Sequence, residues 1–526
     1  MIKEIPINDG WLYRRGFLAD CLEPDFDWSD SFIVQLPHNV KCGSENYFDE
    51  RAMRAVGTYS RILTVPETYN GKRLLLRMEG VLSYAEVYVN GIFVTSHKGE
   101  APFIADITAP VKYNYENRIV IKADAALRPE YGSGTRGPLT LFGGVHRDAV
   151  FMICDGRDIR DVCVRTVREG NKSLITADAE LYDYYPDTEL SGEILDPSGN
   201  SVGELAPRTV VGSAMRLHGE VSSPEYWQPD NPVMYTASVK LKSGKKIIDC
   251  KTVRFGFASA EFRRDGFYLN GKQIKLIGLN RADCYPAIGR AATAETERRD
   301  ARIIKEMGCN AVRTMGQASR DFIDECNRIG LMVIEDVYGD GYIGNADWRE
   351  AFTESITVNN SADCDELYFK ANKAAKAADP TRATIGARNF VASKMFEDVF
   401  AYNECERVSR ARRIKRKWFA PYIISEHTGS VCPSSAYSGE SVRLEQALRH
   451  LEAIDDTLGG AALGAFGMSF CDFAAGRMHG DGDNVNHYGV FDAHRNPKLA
   501  AFAYMSQTDG EPVLELSSNL SECDFT

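Results

Sequence analysis

Near residue 262 the hydrophobic pattern of the chain changes period, and no single architecture accommodates both halves. Before that point apolar residues recur in short alternating runs. Ala85-Glu-Val-Tyr-Val-Asn-Gly-Ile-Phe-Val94 places β-branched and aromatic residues at period two around an Asn-Gly turn. Arg73–Met78, Arg118–Ala123, Ser173–Leu181 and Tyr235–Leu241 read as further strands, with no convincing helical stretch among them. After residue 262 strands and helices alternate. Ile274–Leu279, Asn310–Thr314, Leu331–Asp336, Val399–Tyr402, Tyr422–Glu426 and Ala465–Phe470 read as strands. Thr293–Met307, Ser319–Ile329, Asp365–Ala378 and Ser441–Leu458 read as helices. Strand–helix alternation implies a parallel sheet, and eight such units close into a (β/α)8 TIM barrel. The predicted architecture is therefore multidomain, β followed by α/β. It comprises a jelly-roll sandwich over 1–150, a second small β-sandwich over 151–260 and a barrel over 261–508. A length of 526 residues suits about three cores of this size.

Composition narrows the function classes. The net charge of −12 argues against nucleic acid or an anionic membrane as a partner. The first residues, Met1-Ile-Lys-Glu-Ile-Pro, lack the apolar core of a signal peptide, and no window approaches a membrane span. The 13 cysteines are scattered and include no C-x-x-C pair, which excludes the usual zinc and dithiol spacings and suits a reducing compartment. These features point to a cytoplasmic protein. Phosphate loops, nucleotide fingerprints and serine elbows are missing, so no cofactor and no metal are expected.

The chemistry concentrates in Pro421-Tyr-Ile-Ile-Ser-Glu-His-Thr-Gly429, a short apolar strand that delivers Glu426 to a strand end before a glycine-containing loop. Asp265-Gly-Phe-Tyr-Leu-Asn-Gly-Lys272 and Ile277-Gly-Leu-Asn-Arg281 announce the same kind of domain. Together these segments resemble the catalytic barrel of family 2 glycoside hydrolases, the β-galactosidase and β-glucuronidase family. Leu36-Pro-His-Asn39, Val89-Asn-Gly-Ile92 and Gly99–Asp106 resemble its sugar-binding N-terminal domain. Trp227-Gln-Pro-Asp-Asn-Pro232 and Arg254-Phe-Gly-Phe257 resemble its immunoglobulin-like second domain.

The resemblance implies a β-glycoside as ligand and a retaining mechanism with two carboxylates, one as nucleophile and one as acid/base. Glu426 matches the nucleophile. Asn280, Arg281, Arg313, Asp336, Tyr402, Asn403 and Asp472 match other site positions, with Arg313 placed to orient Glu426. Aligning Asp365-Glu-Leu-Tyr368 and Asp379-Pro-Thr-Arg382 puts Asn359 on the asparagine that binds the sugar 2-hydroxyl. The same alignment puts Asn360 on the acid/base position, and an amide cannot donate the proton that a leaving alkoxide needs.

An alternative register restores an acid at Glu354 but leaves no strand to carry it, and Glu404 and Glu406 are candidates for a relocated one. The segment between Trp348 and Asp365 is too short for the helix and strand that the family carries there. Further departures are Ala282 and Met315-Gly316, where the family has histidines, and Met468, where it has a stacking Trp. Residues 509–526 look like the opening of a further β-domain cut short, which suggests either a decayed gene or a fragment. The readings carried forward are a glycosidase with severely reduced hydrolysis and a non-catalytic carbohydrate-binding descendant. Either is compatible with a homo-oligomer.

Overall fold

The computed structural model describes residues 2–40, 55–126, 142–336, 365–388, 394–404, 420–429, 432–435, 437–460, 462–474 and 485–507. The N-terminal part forms two antiparallel sheets. One has six strands, ordered Phe32–Val34, Trp11–Arg15, Val56–Thr64, Glu116–Asp124, Tyr84–Val89, Ile92–Lys98; the other has four, Lys3–Pro6, Ala149–Cys154, Arg73–Met78, Phe103–Asp106. Period-two patterning explains the packing: along Tyr84–Val89 every second side chain is buried, so Val87 and Val89 join Trp11, Tyr59, Leu76 and Phe151 between the sheets. The Asn90-Gly91 turn closes a hairpin whose register pairs Val89 with Ile92. Both turn residues have positive φ, 52° and 78°, which matches the right-handed strand twist.

The next part, Ile159 to Phe255, is linked as seven antiparallel strands. A single residue pair, Leu205 with Gly219, joins the three strands on one side to the four on the other. The arrangement is thus a sandwich of three strands over four, filled by Ile175, Leu190, Ile194, Leu217, Val239 and Phe257. Trp227 belongs to the barrel as well: it packs with Phe267, Leu276 and Phe466, and its Nε1 donates to the Asn327 carbonyl at 2.8 Å.

The C-terminal part holds parallel strands β1 (Leu276–Arg281), β2 (Ala311–Thr314), β3 (Met332–Glu335), β4 (Ile385–Arg388), β5 (Val399–Glu404), β6 (Tyr422–His427) and β7 (Gly464–Gly467). They lie in the order β3-β2-β1-β7-β6-β5-β4, so the first and last units are neighbours, as in a closing barrel. Between β3 and β4 the chain runs through 337–364, outside the described residues; the short segment singled out above, with Asn359, Asn360 and Glu354, falls there.

Helices α1 (Ala294–Glu306), α2 (Arg320–Ile329), α3 (Asp365–Ala378), α4 (Glu440–Leu458) and α5 (Leu499–Met505) accompany the strands. Their ends follow local chemistry. Ser319 Oγ accepts from the Phe322 amide at 3.1 Å and caps α2. Gly330 ends the same helix at φ 81°, where a Cβ would come within 2.2 Å of the Pro229 carbonyl oxygen.

Side chains alternate across β1: Leu276 faces the barrel interior with Ala311, Val399, Ala401, Ile423 and Phe466. Ile277 and Leu279 face the helices with Ile304, Val312 and Phe322. That parity decides which polar residues reach the barrel mouth. A three-stranded antiparallel sheet, Ala260–Arg263, Gly266–Leu269 and Lys272–Ile274, precedes β1, so the strand expected from Ile274 begins two residues later, at Leu276.

Candidate active site

Asn280 is the third inward residue of β1 and Arg313 the second of β2. Glu426 reaches them through an irregularity in β6. Tyr422 and Ile424 pack outward, beside Phe400 and Ala465, while Ile423 packs inward. Strict alternation would turn the Glu426 side chain toward the helices. Instead Tyr402 of β5 pairs with Ile424 and Asn403 pairs with Glu426, leaving Ser425 as an extra residue. This β-bulge resets the parity and aims the carboxylate into the mouth.

Glu426 Oε1 accepts from Arg313 Nη1 at 2.9 Å. The same nitrogen donates to Asn280 Oδ1 at 2.7 Å and to the Ser425 carbonyl at 3.3 Å. Asn280 Nδ2 donates to the carbonyls of Ser425 (2.9 Å), Gly467 (3.2 Å) and Phe466 (3.3 Å), and Ser425 Oγ donates to Asn403 Oδ1 at 2.7 Å. Thus the bulged residue serves the site twice, through its carbonyl and its hydroxyl. Nη2 of Arg313 is ion-paired with Asp336 at the end of β3.

The side chains of Arg313, Glu426 and Asp336 are 8%, 16% and 22% exposed. Burial opposes the charge on Arg313, but the Asp336 and Glu426 carboxylates outweigh it and raise its pKa. Asp336 is also raised above the usual carboxylate range. Burial is the leading cause, Glu426 adds to it, and Arg313, shared between two anions, offsets it only in part.

The sequence-matched residues do not all meet there. Arg281 lies on the opposite face of β1 from Asn280, buried among Asp300 (3.1 Å), Glu297 (3.0 Å) and the Tyr285 hydroxyl (2.7 Å). There it joins a helix-side ion-pair network completed by Arg495, which donates to Asp300 at 3.0 Å. Tyr402 likewise packs outward, against the cluster of Phe400, Tyr422 and Ile424. Asp472 braces a loop: its Oδ1 accepts from Lys498 Nζ at 2.7 Å and the Gly489 amide at 2.9 Å, and Oδ2 lies 3.4 Å from His487 Nδ1. Asn280, Arg313, Asn403 and Glu426 do come together. Glu404 ends β5, and Glu406 lies outside the described residues.

Sequence reasoning missed Ser425, whose only signal was its place before Glu426. It also missed what joins the departures from the family pattern. Ala282, Met315 and Met468 pack in one apolar cluster with Phe142, Cys284, Phe473, Ala474 and Tyr488. Backbone bonds fix this cluster beside the site: the Met468 amide donates to the His427 carbonyl at 3.0 Å, and the Met315 amide to the Arg281 carbonyl at 2.9 Å.

Phe142 comes from the N-terminal part, which also sends Glu100 to Arg290 at 2.7 Å. Arg290 is held in turn by Asp283 at 2.8 Å, so a buried ion triad ties the first β-domain to the barrel mouth. Among the described residues no group of three or more His, Cys, Asp and Glu side chains is placed to hold a metal, and no helix is long and apolar enough to cross a membrane.

Sequence models of glycosyl hydrolases family 2 match three consecutive parts of the chain. The sugar binding domain matches 35–152, a second family 2 domain matches 158–257, and the TIM barrel domain matches 260–368. A β-galactosidase of Thermoanaerobacter pseudethanolicus is 34% identical, over 95% of this chain and 71% of that protein. A β-galactosidase of Thermoanaerobacterium thermosulfurigenes is 31% identical, over 98% of this chain and 77% of that protein. Among solved structures, a Bacteroides uniformis β-glucuronidase superposes with a TM-score of 0.83 over 96% of this chain and 69% of that one. At 21% identity it speaks for the fold alone.

Proposed function

The chain belongs to glycoside hydrolase family 2, and on that premise we propose that Glu426 is the nucleophile of a retaining β-glycosidase site whose hydrolysis is severely reduced. The names of curated relatives, β-galactosidases and more distantly a β-glucuronidase, suggest β-galactosides or β-glucuronides as substrates. The observation that carries the reading is the contact of Glu426 with Arg313 and Asn280 at the strand ends. A carboxylate held against a buried guanidinium is fixed and aimed, which an attacking group requires. Reduced activity rests on the assignment of Asn360 to the acid/base position. Losing general-acid assistance costs roughly 10²–10⁴ in rate. The effect is largest for leaving groups that need the proton.

A second reading, a carbohydrate-binding protein without turnover, draws on the apolar cluster of Ala282, Met315 and Met468. It draws also on the engagement of Asn280 and Arg313 with neighbouring protein groups, which limits their contact with sugar hydroxyls. The deciding experiment is intact-protein mass after incubation with dinitrophenyl 2-deoxy-2-fluoro-β-glycosides, which need a nucleophile and a sugar pocket but no acid. The expected result is a one-sugar mass gain that Glu426→Gln abolishes, with azide accelerating turnover of activated substrates. No gain from any reagent on folded protein favours the binding reading. Natural disaccharides cleaved at ordinary rates refute the loss of the acid.

A further inference from the structure

We propose that Asp336 is the positioning residue of this site: by holding Nη2 of Arg313 it limits the guanidinium to one oxygen of Glu426. The inference rests on the reading of Glu426 as nucleophile and assigns a role to the end of β3.

A guanidinium is a rigid planar fork, and facing a carboxylate it ordinarily engages both oxygens through two parallel N–H bonds. Such a fork would draw the charge of both oxygens of the nucleophile onto the cation. Here the fork is divided. Nη1 serves Glu426 Oε1 at 2.9 Å together with Asn280 Oδ1 and the Ser425 carbonyl, while Nη2 is taken by Asp336. The plane of the guanidinium is therefore set by β1, β3 and β6 together. Two carboxylates thus share one buried cation, so the cation is never wholly committed to the nucleophile.

Two experiments test this. The first follows covalent labelling by the activated fluoroglycosides as a function of reagent concentration. Asp336→Ala frees the fork to close on Glu426, so the limiting first-order rate falls about tenfold or more while the half-saturating concentration is unchanged. Asp336→Glu, which restores an anion, recovers most of the rate. A raised half-saturating concentration with an unchanged rate would mean that Asp336 touches the sugar, and overturns the proposal.

The second is a double-mutant cycle in urea unfolding with Asp336→Asn and Glu426→Gln. Either change alone leaves Arg313 one carboxylate, whereas both together strand a buried cation. The folding equilibrium of the double variant should then fall about tenfold or more below the product of the single effects. Additive effects overturn the shared guanidinium. Because the cycle needs no substrate, it also separates the two readings. Absence of labelling in the wild type refutes the nucleophile, while a coupled cycle still supports the division of Arg313.

Discussion

Replacing Arg313 with Met removes a cation that pairs with both Glu426 and Asp336. The lost contacts are hydrogen bonds to Asn280 Oδ1 (2.7 Å), Glu426 Oε1 (2.9 Å) and the Ser425 carbonyl (3.3 Å), with the ion pair to Asp336. Removing one partner of a buried ion pair costs ~3–5 kcal/mol. The partial exposure of the two carboxylates brings the expectation to the lower end, about 3 kcal/mol at pH 7. In a domain of about 150–250 residues each kcal/mol moves Tm by about 2–4 °C, so a fall of about 6–12 °C is expected.

The pH dependence has a definite sign. The Asp336 carboxyl already sits above its ordinary range through burial, and Arg313 pulls it down. Without Arg313 it rises further. A carboxyl whose folded pKa is raised destabilises above that pKa, and the penalty disappears as pH falls toward its unfolded value near 3.9. The deficit of Arg313→Met should therefore shrink between pH 7 and pH 5. Thermal unfolding of both proteins at the two pH values is the assay. A fall of less than about 2 °C, or a deficit that stays constant or grows on acidification, would refute the picture of two anions paired with one cation.

Gly330→Ala should cost about 1–3 kcal/mol in urea unfolding, because it combines a positive φ with a collision against the Pro229 carbonyl. Arg290→Met should loosen the first β-domain from the barrel mouth by breaking the triad with Glu100 and Asp283. Limited proteolysis should then release an N-terminal fragment from the variant sooner than from the wild type. His38 is held down to about 4 by burial, so it stays neutral in the fold while the unfolded chain protonates it near 6.5. It contributes stability above 6.5 that is lost as pH falls toward 4. His38→Gln should remove about one proton from the uptake on unfolding within that window, measured as the slope of unfolding free energy against pH.

Residue types and their periods were enough to tell the β-rich part from the strand–helix part, and most expected strands and helices recur with ends shifted by a residue or two. The hairpin at Asn90-Gly91 and the delivery of Glu426 to a strand end were legible because both are local. The pleat alone also argues that Asn280 and Arg281 cannot both face the lumen, nor Tyr402 and Asn403, since adjacent residues on a strand point to opposite faces. The family match hid that constraint. The same parity, applied to β6, would have sent Glu426 to the wrong side. Ser425 reverses it by adding one residue opposite β5, and a bulge depends on the partner strand's register, which no single strand's sequence contains. The meeting of Ala282, Met315 and Met468 with Phe142, and the hold of Asp336 on Arg313, likewise join segments far apart along the chain. Such contacts exist only once the barrel brings its strand ends together, so tertiary structure alone decided them.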